Sequence, residues 1–389
     1  MRIGFDVTAA VRQRAGIGRW ARGLLQGLAE IDQENDYLLF AAGRTPPPDG
    51  LLPQPSKVRF RTLPFSERTL LILWFRLGIP LPVDLFTGPA DVFHFPNYIL
   101  PPLRRGKAVV TVHDLSFLLY PECHEEGLRA FLERVVPLSV AAADFVTVDS
   151  AHVKNEAICL LDIPPDRVEV VYGGVDARFQ PVKNEAVLQA VRQRYRLHFP
   201  FVLHVGVIEP RKNLVRLIEA YDRVRSALHL PHRLVLAGGL GWLYEEVFQK
   251  VAELGLQDLV LFPGYVPEED LPALYSLADL FVYPSLYEGF GFPPLEAMAC
   301  GVPVVASNAA SLPEVVGDAG LLVRPTDIEQ LADAIARALT DNALRAELRE
   351  RGFKRARLFT WQAAAERALS IYRRVVEAEI GRASCRERV

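Results

Sequence analysis

Four cysteines in 389 residues, Cys123, Cys159, Cys300 and Cys385, are too few and too scattered for a disulfide framework or a zinc knuckle. Their placement fits a reducing compartment, with core packing as their role. An excess of one charge is also missing. Forty-four basic against 47 acidic residues leave a formal net charge of −3, so there is no global footprint for nucleic acid, and any basic surface must be local. No apolar run is long enough to span a bilayer. The longest, Leu70 to Phe75 in TLLILWFRLGIPLP, is broken by Arg76 and Pro80, far short of the ~20 residues a spanning helix needs. It reads as a core segment or as a patch lying on a membrane surface, with Arg68 and Arg76 beside it, and core packing is the simpler reading. No secretory leader is recognisable, because MRIGFDVTAAV has strand character and runs into a basic, Gly-containing segment; the protein reads as cytoplasmic.

What is present is 50% hydrophobic residues, enough for sizeable cores in two or three domains, arranged in a regular alternation of strand-like and helix-like runs. Strands are expected at Met1–Thr8, Tyr37–Ala42, Val58–Leu63, Val92–Phe95, Ala108–Val112, Phe145–Asp149 and Val168–Tyr172. Helices are expected at Ile17–Ile31 and near 67–78, 126–143 and 151–161. The Pro-rich loop Thr45–Pro55 reads as exposed. After Gly173-Gly174-Val175-Asp176 a polar stretch to about His198 reads as a linker. A second set then begins, with strands Phe201–Gly206, Arg233–Ala237 and Leu259–Phe262 and helices Leu214–Leu228 and Leu243–Leu254, so the chain is two similar α/β halves built on parallel sheets. Amphipathic helices are expected at Thr326–Leu339, Asn342–Leu358 and, last, from Trp361 to about Glu379. The final GRASCRERV has no apolar period and resembles a vector-derived tail.

The chemistry concentrates in FVYPSLYEGFGFPPLEAMACG, residues 281–301. A short apolar strand leads into a Gly- and Pro-rich turn, and Pro293 and Pro294 can open a helix because its first turn needs no internal N–H bond. That places Glu296 in the first helical turn and Glu288 in the loop before it, flanking a Gly-Phe-Gly segment. Gly289, Phe290, Gly291 and Phe292 can then offer main-chain amides to an anion, and the two carboxylates suit hydroxyls of a sugar and a ribose. In GVIEPRKN, Arg211 and Lys212 stand at the start of a helix, where cations oppose the helix dipole; two cations beside free amides suit a diphosphate. His113 ends the strand AVVTV, at the edge where open α/β sheets bind ligands. Asp32, Glu34 and Asp36 read as a solvated loop rather than a metal site. GIGRWA, with Gly16, Gly18 and Arg19, has the glycine spacing of a dinucleotide site. Its loop from Thr8 is too long, however, and the next strand ends without an acid for an adenosine ribose, so NAD is not expected. Ser311-Leu312-Pro313-Glu314 reads as a helix start.

EGFGFPPLE followed by AMACGVPVVAS resembles the signature of family-4 retaining glycosyltransferases, whose two Rossmann-like domains face one another across a cleft in the fold called GT-B. The resemblance implies residues 1–180 as an acceptor-side domain, joined by the C-terminal helix at about 361–380, and residues 195–358 as the nucleotide-sugar domain, with 381–389 as the tail. It implies that Glu288 holds the donor sugar and Glu296 the nucleotide ribose, that Tyr265 and Val266 receive the base, and that His113 lies near the sugar. Gly16, Gly18 and Arg19 would lie over the diphosphate and acceptor. Many relatives carry Arg where this chain has Val207, so the diphosphate clamp falls to Arg211 and Lys212. GIGRW, VHDLSFLLYPE and GVIEPRKN look most like a mannosyltransferase-like branch of bacterial polysaccharide synthesis. Transfer of mannose from GDP-mannose to a saccharide or lipid-linked acceptor is the leading expectation. No Asp-x-Asp pair is present, so neither a metal nor another cofactor is expected; peripheral membrane contact is open, and nucleic acid is not a partner. Glucosyl or other hexosyl transfer from a UDP- or ADP-sugar, a phosphorylase or epimerase on the same scaffold, and a non-catalytic nucleotide-sugar-binding scaffold remain as alternatives.

Overall fold

The computed structural model describes residues 1–13, 16–43 and 58–386, with side chains as far as Ala378. The chain divides into two compact units. One comprises Met1–Leu115, Gly127–Gly174 and Thr360–Val389; the other comprises Ser116–Glu126 and Val175–Phe359.

The first unit holds a seven-stranded sheet of β1 (Arg2–Asp6), β2 (Asp36–Ala42), β3 (Val58–Leu63), β4 (Val92–Phe95), β5 (Lys107–Val112), β6 (Phe145–Val148) and β7 (Val168–Val170), in the order β3-β2-β1-β4-β5-β6-β7. The second holds β8 (Phe201–Val205), β9 (Arg233–Ala237), β10 (Val260–Gly264), β11 (Leu280–Tyr283), β12 (Val304–Ser307) and β13 (Leu321–Val323), ordered β10-β9-β8-β11-β12-β13. Every strand pair is parallel. Such sheets carry helices on both faces, which is why β11 and β12 are unbroken apolar runs buried along their whole length. The winding reverses once in each sheet, between β1 and β4 and between β8 and β11. Outside the carboxyl ends of those strands, neighbouring loops splay apart and leave a crevice for a ligand.

The helices Ile17–Ile31 and Leu214–Leu228 and the strands Phe201–Val205 and Arg233–Ala237 fall where the apolar periodicity places them. The final helix, Trp361–Arg386, belongs to the first unit and packs on Ile17–Ile31. Its backbone stays helical to Arg386, beyond the expected end near Glu379.

Several expectations need correction. The polar stretch 176–198 is not a linker. It carries the helix Glu185–Tyr195, and Phe179, Val191 and Leu197 are buried in the second unit's core, so the crossing lies at Gly174–Val175. The first half is not one continuous block to residue 180 either, because Ser116–Glu126 packs with the second unit. There Trp242 Nε1 donates to the Cys123 carbonyl at 2.5 Å, and Tyr120 lies 5.6 Å from Tyr287. A short helix, Thr8–Arg12, fills the long loop after β1. The helix expected at 67–78 is Glu67–Leu71 followed by a π-helical turn, Ile72–Arg76. Cys123 and Cys300 pack in the core, but Cys159 is exposed. Asp32 is a structural acceptor, taking hydrogen bonds from Asn35 and from the Tyr37 hydroxyl. The loop Thr45–Pro55 lies outside the described residues.

Candidate active site

Both loops at the second sheet's switch point carry the expected charges. Arg211 and Lys212 follow β8 in the 3-10 turn Pro210–Lys212, and Glu288 follows β11. Lys212 Nζ donates to Glu288 Oε1 at 2.6 Å and to the Tyr283 hydroxyl at 3.2 Å. Arg211 donates to Glu288 Oε2 at 2.9 Å, to the Tyr287 carbonyl at 2.9 Å and to Glu209 Oε1 at 2.7 Å. Glu288 and Lys212 are each 7% exposed. Burial alone would raise the Glu288 carboxyl, but the adjacent Lys212 and Arg211 outweigh it and bring its pKa down to about 2. Glu288 is therefore an ion at any physiological pH.

This geometry corrects the simpler expectation of two cations waiting for a diphosphate. Glu209 and Glu288 neutralise Arg211 and Lys212, so the cluster has no net charge as it stands. Lys212 has two of its three ammonium protons engaged, which leaves one for an incoming anion. Beneath it lies His204, fully buried and stacked on Tyr283 at 5.4 Å. Its Nδ1 is 3.0 Å from the Val282 carbonyl, and burial pulls its pKa down to about 4, so the ring is neutral and adds no charge to the cluster.

The loop after Glu288 is shaped by close packing. Gly291 has φ +121°, and a Cβ there would lie 2.8 Å from Leu312 Cδ2, so glycine is required twice over. The Phe290 ring is 4% exposed and meets Phe292 at 5.0 Å and Phe359 at 5.7 Å. Its side chain is core, and what Gly289–Phe292 can offer a ligand is main chain. Ser311, read from the sequence as a helix start, makes no side-chain cap for the helix Leu312–Val316. Its one hydroxyl proton is instead shared between the carbonyls of Glu288, at 2.8 Å, and Phe290, at 2.6 Å, which fixes the loop. The following helix starts at Phe292, one residue before Pro293, so Glu296 is past the first turn. Glu296 is 2% exposed and accepts from the Tyr275 hydroxyl at 3.0 Å. Behind Gly264, Val266 is buried while Tyr265 is 45% exposed, so Tyr265 is not the core residue its aromatic character would suggest.

In the first unit, His113 uses both ring nitrogens, Nδ1 on Asp149 Oδ2 at 2.7 Å and Nε2 on the Pro96 carbonyl at 2.8 Å. The Pro96 carbonyl accepts, so Nε2 donates, and Nδ1 shares a proton with the Asp149 carboxyl. Burial opposes charge on both groups: it raises the Asp149 pKa, and the Asp149 carboxyl and these bonds raise that of His113 above its ordinary value. The ring is a strut between the ends of three strands. Trp20, from the helix Ile17–Ile31, stands edge-on to His113 at 5.3 Å and to His94 at 5.9 Å. Gly16 starts that helix with φ +53° and open space around it. A Cβ on Gly18 would lie 2.0 Å from the Gln13 carbonyl oxygen, so Gly18 serves close backbone packing; Arg19 is half-buried on the same turn.

Glu209, Tyr283 and Tyr275 contact the site's charged side chains but escaped the sequence reading. Glu209 lies inside the quoted GVIEPRKN and Tyr283 inside the quoted 281–301, and those positions were the signal available.

The family model "Glycosyl transferases group 1" matches residues 191–355, and "Glycosyltransferase Family 4" matches residues 14–179. The chain is 34% identical over 381 residues to the O-antigen chain mannosyltransferase B of Escherichia coli, covering 96% of this chain and 100% of that protein. It is 35% identical over 281 residues to the serotype-specific mannosyltransferase WbdA of Escherichia coli, covering 70% of this chain but only 34% of that longer protein. Among solved structures, sucrose-phosphate synthase from Thermosynechococcus elongatus superposes with a TM-score of 0.73 at 24% identity, over 97% of this chain and 100% of that one. WaaG, a glycosyltransferase involved in lipopolysaccharide biosynthesis, does so with 0.69 at 19% identity, over 95% and 99%. These two likenesses speak for the fold, and the near full-length relative speaks for the family. With two doubly wound parallel sheets and the paired glutamates on the second, the chain belongs to the family-4 glycosyltransferases of GT-B fold.

Proposed function

We propose that this chain moves a mannosyl group from a nucleotide-diphosphate sugar, GDP-mannose first among them, to a saccharide or lipid-linked saccharide in polysaccharide or O-antigen synthesis, with retention at the anomeric carbon and without a metal. The observation that carries it is Glu288 gripped by Lys212 and Arg211 at the second sheet's switch point, beside the amides of Gly289–Phe292. The near full-length match to a mannosyltransferase supports the choice of sugar. Breaking the anomeric bond leaves negative charge on the diphosphate. In this reading the amides at the start of the helix Phe292–Ala299, the remaining Lys212 proton and Arg211 stabilise it. Glu288 orients the sugar hydroxyls, Glu296 the ribose, and Tyr265 with Val266 the base. His113, Gly16, Gly18 and Arg19 contribute to positioning the sugar and diphosphate. Same-face attack assisted by the departing phosphate needs no protein nucleophile, and no nucleic acid or cofactor enters the scheme.

A thermal-shift panel of GDP-mannose, UDP-glucose, UDP-GlcNAc, ADP-glucose, NAD and the free nucleotides tests this. A ligand present at about a hundred times its Kd stabilises the native state by about 2.7 kcal/mol. GDP-mannose and GDP are expected to raise Tm selectively. A selective UDP- or ADP-sugar shift would replace the donor, and a shift with NAD alone would end the glycosyltransferase reading. A GDP-mannose shift without transfer to any mannoside would favour a binding scaffold.

Peripheral membrane contact is a second proposal. Leu70 is buried, but Phe65, Ile72, Leu77, Ile79 and Leu85 are exposed, Leu77 to 60%, with Arg68 and Arg76 exposed beside them. Among the described residues no helix is long and apolar enough to cross a membrane. Apolar side chains rimmed by arginine suit the surface of an anionic bilayer. Flotation with phosphatidylglycerol vesicles should fall several-fold in Leu77→Asp; undiminished flotation would remove the proposal.

A further inference from the structure

An open cavity breaks the cover of the first sheet at its amino-terminal side, the edge away from the switch point. Parallel sheets are normally covered by helices on both faces. Toward the carboxyl ends, the face that carries Phe40 is closed over by Leu70 and Val83, both buried. The cover stops at Thr87-Gly88-Pro89, where the short helix Asp84–Thr87 ends. Beyond it lies a cavity of about 250 Å³ lined by Arg2, Asp36, Leu38, Arg59, Arg61 and Pro89. The strand register brings these together. Arg2 pairs with Asp36, Leu38 lies between Gly4 and Arg59, and Arg61 pairs with Phe40, so all of them project from one face. Arg2 and Asp6 mark the two ends of β1, about 13 Å apart along the strand, so the cavity is separate from the crevice at the carboxyl edge.

Among the described residues, the side chains of Arg59, Arg61 and Asp36 make no hydrogen bond or ion pair, and all three are exposed. Arg2 gives one N–H to the Pro89 carbonyl at 3.3 Å and keeps the rest of its fork. Charge on an edge strand such as β3 also discourages pairing with another sheet, but lysine serves that purpose, and it asks nothing of Arg2 on the central strand β1. Three guanidiniums against one carboxylate leave the cavity formally positive by two charges. A phosphomonoester carries roughly −1.5 to −2 near neutral pH and presents three acceptor oxygens to guanidinium forks, whereas the diester of a phospholipid headgroup carries only one charge. Asp36 repels a bare anion but accepts from a hydroxyl, and Leu38 and Pro89 offer apolar contact to C–H groups. The volume falls just below the about 300–1,000 Å³ of sites for drug-sized ligands, which suits one phosphorylated hexose. We propose that this cavity binds a sugar phosphate, with Arg59, Arg61 and Arg2 on the phosphate and Asp36 taking a sugar hydroxyl. It lies wholly in the first unit and is independent of the donor assignment.

The probe is glucose 6-phosphate, titrated calorimetrically into the full chain with and without saturating GDP. Binding is expected in both cases; binding abolished by GDP places the ester in the donor site and overturns the cavity. Arg59→Gln combined with Arg61→Gln should weaken the ester at least about tenfold, the loss expected when charge-assisted bonds are broken. Both side chains are exposed, so this variant should keep the wild-type Tm. Arg59→Lys retains the charge without the fork and should weaken the ester several-fold. Full binding in that variant means a general positive surface and overturns the pocket. In Asp36→Ala the preference for glucose 6-phosphate over inorganic phosphate should drop several-fold, and an unchanged preference overturns a sugar phosphate as the ligand. A wild type silent to millimolar glucose 6-phosphate overturns the site. So does flotation with phosphatidylinositol vesicles that depends on Arg59 and Arg61 while the free ester does not bind.

Discussion

Replacing Glu288 by Gln is expected to lower mannosyl turnover by two to three orders of magnitude while GDP binding is retained or tightened, a loss of about 3–4 kcal/mol of transition-state stabilisation. The split follows from the charges. In the native cluster Glu288 and Glu209 neutralise Arg211 and Lys212, and glutamine removes one of those two negative charges without removing the side chain's shape. The two cations then face an incoming diphosphate with a net positive charge, so the ground state of nucleotide binding gains. The sugar loses an ionised acceptor for its hydroxyls, and the interaction lost is one that holds the anomeric centre in line with its leaving group. Equal turnover in wild type and variant, measured by transfer to a mannoside acceptor under saturating donor, would remove Glu288 from the chemistry.

The same substitution has a signature in acid. The folded-state pKa of Glu288, about 2, lies below the ordinary 4.5. A depressed carboxyl contributes stability that is complete above the unfolded pKa and is lost as pH falls through the folded one. Wild type should therefore lose part of its Tm between about pH 4.5 and pH 2, and the variant should start lower and fall less steeply over that window. The burial of two cations with one acid fewer explains the lower start.

The sequence carried the fold well because it rests on periodicity. Apolar strands such as Leu280–Tyr283 and amphipathic helices such as Leu214–Leu228 are specified locally, and their alternation forces two parallel sheets. It misled where composition and tertiary packing disagree. Residues 176–198 look polar, yet Phe179, Val191 and Leu197 at wide spacing are enough to fix the segment to a core. At the site, residue types and loop positions were legible, and pairing was not. Nothing in EGFGFPPLE or EPRKN says that Glu288 and the basic pair grip one another across two loops, because that contact depends on β8 and β11 being neighbours at the switch point. His113 shows the same limit. Its place at a strand end is written in the sequence, but the Asp149 and Pro96 partners that occupy both nitrogens come from the strands on either side.

Gly23→Ala is expected to destabilise the protein by about 2 kcal/mol, although helix propensity alone predicts the opposite. Gly23 lies within the helix Ile17–Ile31, where alanine is favoured over glycine by about 1 kcal/mol. The contact decides the sign. A Cβ at Gly23 would lie 2.0 Å from Cε2 and 2.2 Å from Cζ2 of Trp361, and one at Gly27 would lie 2.2 Å from the Trp361 carbonyl oxygen. Neither neighbour is the loose end of a flexible side chain. The indole is 6% exposed and belongs to the first residue of the long C-terminal helix, and Gly174 presses on its backbone from another side. The helix Trp361–Arg386 must therefore shift as a body, breaking its fit to Ile17–Ile31, and forced overpacking of this kind costs about 1–3 kcal/mol in well-packed cores. At about 2–4 °C per kcal/mol for a unit of this size, Tm should fall by several degrees. Combining Gly23→Ala with Trp361→Leu should cost less than the two single changes together, because the smaller side chain vacates the space that the new methyl needs. A rise in Tm for Gly23→Ala would mean that propensity governs here and that the glycine groove does not seat the C-terminal helix.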